Sequence, residues 1–420
     1  MILIKNGHII DPASRLEADG HVIIEGEKIK KIVLDQAMDE AGFEQVIDAS
    51  GMVVAPGLID VHTHFRDPGA THKEDIHTGT KAAIAGGFTT VICMANTVPV
   101  VDNKEILTDI LKRAKEEPIH ILQSAAISKK FQGKELTNFA ELIEAGTTGF
   151  TDDGIPLKDA EFVQKAMEEA VKYNVPLSFH EEEPALIAQA GVNAGPVAEQ
   201  LGLTGAPAES EEVLVERDCR LAQQTGARIQ IQHISSAGSL EIIRQAKKRG
   251  IHVTAEVTPH HFSLNEEAVL QHGTLAKMNP PLRTEADRQS MIEALKDGTI
   301  DMIATDHAPH TAKEKDQPFT KAPSGIIGLE TSLALGVTNL VRPGHLTMME
   351  LLEKMTINPA KLYGLPYGTL QEGQDADMVI FDPEEAWVVE EFQSKASNSP
   401  FVGATLYGKV HQTICGGKLL

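Results

Sequence analysis

The sequence predicts an α/β fold, a (β/α)8 barrel joined to a small composite β-sandwich domain that both chain ends build together. Three observations predict it. Between residues 56 and 364, short apolar runs alternate with stretches of helical period, giving eight strand–helix units. Residues 1–55 and 365–420 share another texture, apolar segments of strand length broken by Gly, Pro and Asp. Histidines and aspartates collect at the carboxyl ends of the apolar runs, where a barrel of this kind builds its active site.

The elements follow in order. ILIKNGHII, HVIIEGEKIKKIVL and QVIDASGMVVA read as antiparallel strands, with a Glu-Gly turn inside the second. Pro56 and Gly57 then open the first barrel strand, which runs to His62 and His64. Further strands are predicted at 89–96, 119–127, 148–154, 175–182, 228–235, 252–261 and 301–309. Helices are predicted between them at 103–117, 159–173, 209–225, 238–249 and 284–297, the acid-rich 209–225 as a solvated face. ADMVIFDP, AWVVE and GKVHQTICGG return to short strands. The expected division is 1–55 with 365–420 as one β domain and 56–364 as a TIM-like barrel. An open doubly wound sheet is the alternative, but no GxGxxG or Walker loop follows the first strand.

Composition narrows the partners. A net charge of −22, from 38 basic and 60 acidic residues, argues against nucleic acid or an anionic membrane as the main partner. Any anionic substrate therefore needs its own local cations. The amino terminus has no basic lead before an apolar run, and no apolar stretch of 18 residues occurs, so a cytoplasmic protein is expected. The three cysteines, at 93, 219 and 415, have no CxxC pairing and predict neither a disulfide framework nor a thiolate zinc site.

The chemistry-bearing residues share one rim. His62 and His64 end strand one, Asp152 and Asp153 strand four, His180 strand five, His233 strand six and Asp306 strand eight. A lone strand-end histidine is more often a hydrogen-bonding core residue, but five such positions on one rim are hard to explain that way. Four imidazoles and two carboxylates exceed the needs of one tetrahedral zinc and suit two divalent ions. His62, His64 and Asp306 are assigned to one ion and His180 and His233 to the other, with an aspartate of strand four as bridge. Alternation alone leaves open whether Asp152 or Asp153 faces inward. His260 and His261, at the end of strand seven, are expected to give structural or supporting hydrogen bonds, and His307 to face away from Asp306. Arg66, two residues past His64, is placed to grip a carboxylate unless it pairs with Asp67. The polar segment 309–325 could close over substrate.

Together, PGLIDVHTHFRDPG, FTDDG, SFHEE, QIQHIS and ATDHAPH resemble the dihydroorotase family of the amidohydrolase superfamily, in the branch where aspartate replaces a carboxylated bridging lysine. The resemblance spans the whole chain. It implies Asp153 as the bridge between two Zn2+ ions and Asp306 as general acid/base beside a metal-bound hydroxide. It implies that Arg66, Asn96 and His310, beside His64, hold the substrate carboxylate, with Asn279 against the pyrimidine ring and Ser324 and Gly325 touching the ring through backbone groups. Relatives often read Pro-Phe-Gly where this chain has Pro323-Ser324-Gly325. The implied reaction is the reversible cyclisation of N-carbamoyl-L-aspartate to L-dihydroorotate in pyrimidine biosynthesis. The implied partners are a second copy of the chain and aspartate carbamoyltransferase. Two alternatives stand beside this reading. One is a related hydrolase for another cyclic ureide, and the other is a silent structural homologue, which would have no reason to keep all six metal-ligand candidates.

Overall fold

The computed structural model describes residues 1–34 and 36–420. Strands β1 (Ile2–Asp11), β2 (Leu16–Glu25) and β3 (Lys28–Leu34) form an antiparallel meander in which Ile2 lies opposite Ile24 and Gly20 opposite Leu34. β4 (Gln45–Asp48) and β5 (Val53–Pro56) correct the antiparallel expectation, because both run parallel to β1. β4 pairs with Ile2–Lys5 and β5 with His8 and Ile9, so the two act as one partner interrupted by a turn. β1 bends at the same place, where Asn6 has a φ of 60°. Gly7 beside it has no room for a side chain against Val54.

The barrel follows. β6 (Leu58–Thr63), β7 (Phe88–Cys93) and β8 (His120–Gln123) make one parallel sheet. β9 (Phe150–Thr151), β10 (Leu177–Phe179), β11 (Ile229–Ile231), β12 (Val253–Val257) and β13 (Met302–Ile303) make a second. Parallel bridges close both seams, Ala125 to Phe150 and Thr63 to His307, so the two sheets form one closed ring of eight strands. Most strands are shorter than expected. Apart from His62, which lies inside β6, the predicted ligands sit just past the ends of the ladders.

Helices cover the ring where the periodicity placed them, among them Lys104–Ala114, Ala160–Tyr173, Ala237–Lys248 and Glu285–Asp297. Their first turns are capped by the side chains of Asn103, Asp159, Ser236 and Thr284. Glu209–Thr225 departs from the expected solvated face. Its Glu211 and Asp218 are buried, Glu211 accepting from the backbone of Ser235 and Ser236 and Asp218 gripping Arg217 at 2.6 Å. Acids on a helix can be satisfied by backbone donors of the next strand loop, and composition does not show that.

The final strands return to the first sheet. β14 (Met378–Val388) pairs antiparallel with β5, β15 (Thr405–Cys415) with β14, and β16 (Lys418–Leu419) with β15. The result is one mixed sheet of eight strands drawn from both chain ends. It has a core of its own, including Ile4, Ile9, Ile24, Met378 and Ile414, distinct from the large cluster around the barrel. Among the described residues, no helix is long and apolar enough to cross a membrane.

Candidate metal centre

β6 delivers His62 from inside the strand, and His64 lies just past its end with the two rings 5.3 Å apart. His62 Nδ1 faces Glu256 Oε1 of β12 at 2.5 Å, which makes Nδ1 the donor and turns the lone pair of Nε2 toward the rim. That Nε2 is buried and has no hydrogen-bond partner; Asp153 Oδ1 and Asp306 Oδ1 each lie 3.4 Å away. His64 is oriented by Asn96 Oδ1 at 2.9 Å from its Nδ1, and its Nε2 lies 2.9 Å from Asp306 Oδ1.

Asp153 stands in the middle. Its carboxylate is 3.4 Å from His62, 3.5 Å from His64, 3.7 Å from His180 and 3.8 Å from His233. Asp152 turns the other way and accepts from the backbone of Ile127 and Ser128 at 2.8 and 3.0 Å. His180 Nδ1 meets His233 Nε2 at 2.9 Å, while its Nε2 meets Glu182 at 3.0 Å. Three overlapping groups could hold a cation: His62 with His64 and Asp153, His62 with His233 and Asp306, and Asp153 with His180 and His233. An orphaned, buried imidazole nitrogen aimed at two carboxylates is what such a set offers a metal.

The backbone is strained at the same place. Arg66, His233 and Asp306 have φ of 57°, 32° and 49°, a left-handed region that non-glycine residues rarely occupy. Above the cluster lies a cavity of about 200 Å3. Every substrate-contact candidate lines it, from Arg66, Asn96 and Asn279 to His310, Ser324 and Gly325, as do all the ligand candidates except His62 beneath.

A model of the amidohydrolase family matches residues 53–420. The chain belongs to the amidohydrolase family. Three relatives named dihydroorotase, from Clostridioides difficile (strain 630), Clostridium acetobutylicum and Lactococcus lactis subsp. lactis, are 59%, 54% and 53% identical to it. Each alignment covers 100% of this chain and 99% of the relative. Among solved structures, L-hydantoinase (dihydropyrimidinase) from Arthrobacter aurescens superposes with a TM-score of 0.89 at 25% identity, covering 100% of this chain and 95% of that one. D-hydantoinase from Thermus sp. gives 0.85 at 27%, with the same coverage.

This amidohydrolase is therefore a hydrolytic enzyme, and its electrostatics fit cation binding. Acceptors that face one another need positive charge between them. Burial opposes charge on His62, yet Glu256, Asp153 and Asp306 hold its imidazolium well above the usual range. Burial likewise opposes charge on His180, and the carboxylates of Asp153 and Glu182 still push it up to about 10. Carboxylates set against imidazole nitrogens in this way form a donor set that a divalent ion suits.

On the cavity wall, Arg66 does not pair with Asp67, which is taken by Arg113 at 2.7 Å. Arg66 Nε instead donates to Pro309 O at 3.3 Å. Lys73 Nζ stands 3.3 Å from His310 Nδ1, and His310 Nε2 is 2.9 Å from Ser324 O. Burial, reinforced by Arg66 and Lys73, pushes the His310 imidazolium down to about 3. Asn279 Oδ1 accepts from Ser324 Oγ at 3.0 Å.

One predicted element is corrected. His260 and His261 belong to a short helix, Pro259–Ser263, because Pro259 follows the N-cap Thr258 and ends strand seven early. His261 there bonds Thr258 and Pro280 O, as structural support. His307 does face away from Asp306, toward Glu74 at 3.3 Å. Sequence reasoning missed Glu256 and Lys73. A lone acid inside the apolar run HVTAEVT was the available signal for Glu256. Lys73 left none.

Proposed function

We propose that this chain is a dihydroorotase, interconverting N-carbamoyl-L-aspartate and L-dihydroorotate in pyrimidine biosynthesis. The observation that carries the reading is Asp153 lying within 3.8 Å of four imidazoles, beneath a small cavity walled by Arg66, Asn96 and His310. The names and identities of the relatives favour this substrate over other cyclic amides.

In this reading His62, His64 and Asp306 would hold one divalent ion and His180 and His233 another, with Asp153 a further ligand between them, and Zn2+ would suit the nitrogen and oxygen donors. Bound there, such ions activate water at neutral pH and polarise a carbonyl oxygen. The chain's own groups do the rest. Glu256 fixes the His62 tautomer, and Asn96 fixes both His64 and Asp153. Asp306 takes the proton of the attacking water and delivers it to the departing ring nitrogen, so the C–N bond breaks without expelling an amide anion. Arg66, Asn96 and His310 hold the substrate carboxylate beside His64, Asn279 lies against the ring, and Ser324 and Gly325 meet it through backbone groups. Cyclisation runs the same steps backward.

The same reading places residues 1–55 and 365–420 in one composite domain and 56–364 in the barrel. It carries a cytoplasmic homodimer that associates with aspartate carbamoyltransferase, an enzyme whose product is this substrate. An ultraviolet assay with dihydroorotate, hydantoin and allantoin tests the reading. Turnover confined to dihydroorotate is expected, and turnover of hydantoin alone contradicts it.

A further inference from the structure

A second cluster of ligand-type side chains lies at the opposite end of the barrel strands. His120 is the first residue of β8, Asp377 immediately precedes β14, and Cys415 is the last residue of β15. One ligand atom from each lies within 4.8 Å of the other two. We propose that His120, Asp377 and Cys415 form a binding site for a divalent transition cation of borderline softness, such as zinc.

Each donor is held in place. His120 Nε2 is 2.9 Å from Asp377 Oδ2, and its ring stacks on Tyr367 at 4.1 Å and 15°. The other oxygen of Asp377 accepts from Gly416 N at 2.8 Å, and its backbone carbonyl from Gly57 N at 2.9 Å. The Cys415 thiol is buried beside Asp377, with a long 3.9 Å contact to Thr89 O. Beside the trio opens a cavity of about 810 Å3 lined by His120, Tyr367 and Cys415, which leaves room for a fourth ligand from solvent. One imidazole, one carboxylate and one thiolate with an open position is a set that suits zinc better than magnesium or calcium.

A nucleophilic role for Cys415 fits less well. Burial and the adjacent Asp377 carboxylate push its thiol far up, so it stays protonated at neutral pH without help. A cation supplies that help by replacing the thiol proton, which leaves to solvent on binding. The ligands come from three distant segments, so no cysteine spacing could reveal them. A bound ion would tie barrel strand β8 to the sheet built from the chain ends.

Cobalt(II) added to the metal-stripped full-length protein tests this, because the barrel-rim cluster contains no cysteine. A near-ultraviolet thiolate-to-cobalt charge-transfer band is expected, reaching its full height with about one cobalt bound beyond those the rim takes up, and bleached by zinc. Cys415→Ser is expected to abolish the band and lower total bound cobalt by that equivalent, with dihydroorotate turnover unchanged. His120→Asn carries the same test should the serine variant fail to fold, and is expected to weaken the band's apparent affinity at least about tenfold. Absence of any charge-transfer band, or a band that persists in Cys415→Ser, overturns the proposal and leaves a simple His120–Asp377 pair beside a free thiol. These readouts do not depend on the activity assigned to the rim.

Discussion

Glu256 contributes no atom to the cavity, yet it decides how His62 presents itself. Glu256→Gln is expected to weaken metal binding by about 10- to 100-fold, read by titration of metal-stripped protein, while the fold is kept. Asp306→Asn is expected to retain metal but lose nearly all turnover; full turnover with metal bound would remove the proton-carrying role. Arg66→Ala is expected to raise KM for dihydroorotate by about 10- to 150-fold, the equivalent of a charged hydrogen bond of about 1.5–3 kcal/mol, with metal content unchanged. His310 gives a pH test. Its imidazolium is pushed down to about 3, so the folded protein prefers it neutral. Its contribution to stability is complete above the unfolded value near 6.5 and is lost as pH falls toward 3. Nitrogen NMR of the histidines should therefore find His310 neutral at pH 6.

At the scale of elements, the segment 309–325 is held by two buried lysines, one of its own and one from outside it. Lys315 Nζ donates to Pro323 O and Gly325 O at 2.9 and 3.0 Å, and Lys277 Nζ to Phe319 O and Ala322 O at 2.6 and 2.7 Å. These ammonium groups replace side-chain packing in a loop with little apolar content. Lys315→Met is expected to speed amide exchange across 316–325 by at least about tenfold, and unchanged exchange would show that the lysine does not order the loop. The barrel strands were legible because fully buried parallel strands read as apolar runs, as in residues 91–95 at the end of β7. The direction of β4 and β5 was not, since hydrophobic alternation carries no information about whether the partner is parallel. The choice between Asp152 and Asp153 was illegible for a related reason: β9 is only two residues long, and the chain has left the ladder before either aspartate. The Arg66 environment was hidden too, because Arg113, which claims Asp67, lies 46 residues away.

Across the whole molecule, a chain of net charge −22 places Arg66 on the wall of the cavity, where an anionic substrate would need a cation, with the neutral His310 beside it. Ring closure turns a dianion into a monoanion and consumes one proton. The equilibrium under this enzyme should therefore shift toward the ring by about tenfold for each unit fall in pH above the carboxylate range. The rim cluster, assembled from strand ends up to 244 residues apart in sequence, from His62 to Asp306, holds the account together. Its most direct test is elemental analysis of purified Cys415→Ser protein, in which only the rim can bind, beside an ultraviolet assay with dihydroorotate. About two divalent ions per chain, lost together with turnover on chelation and regained together on adding zinc, is the expected result. Undiminished turnover in protein stripped of metal would contradict the account.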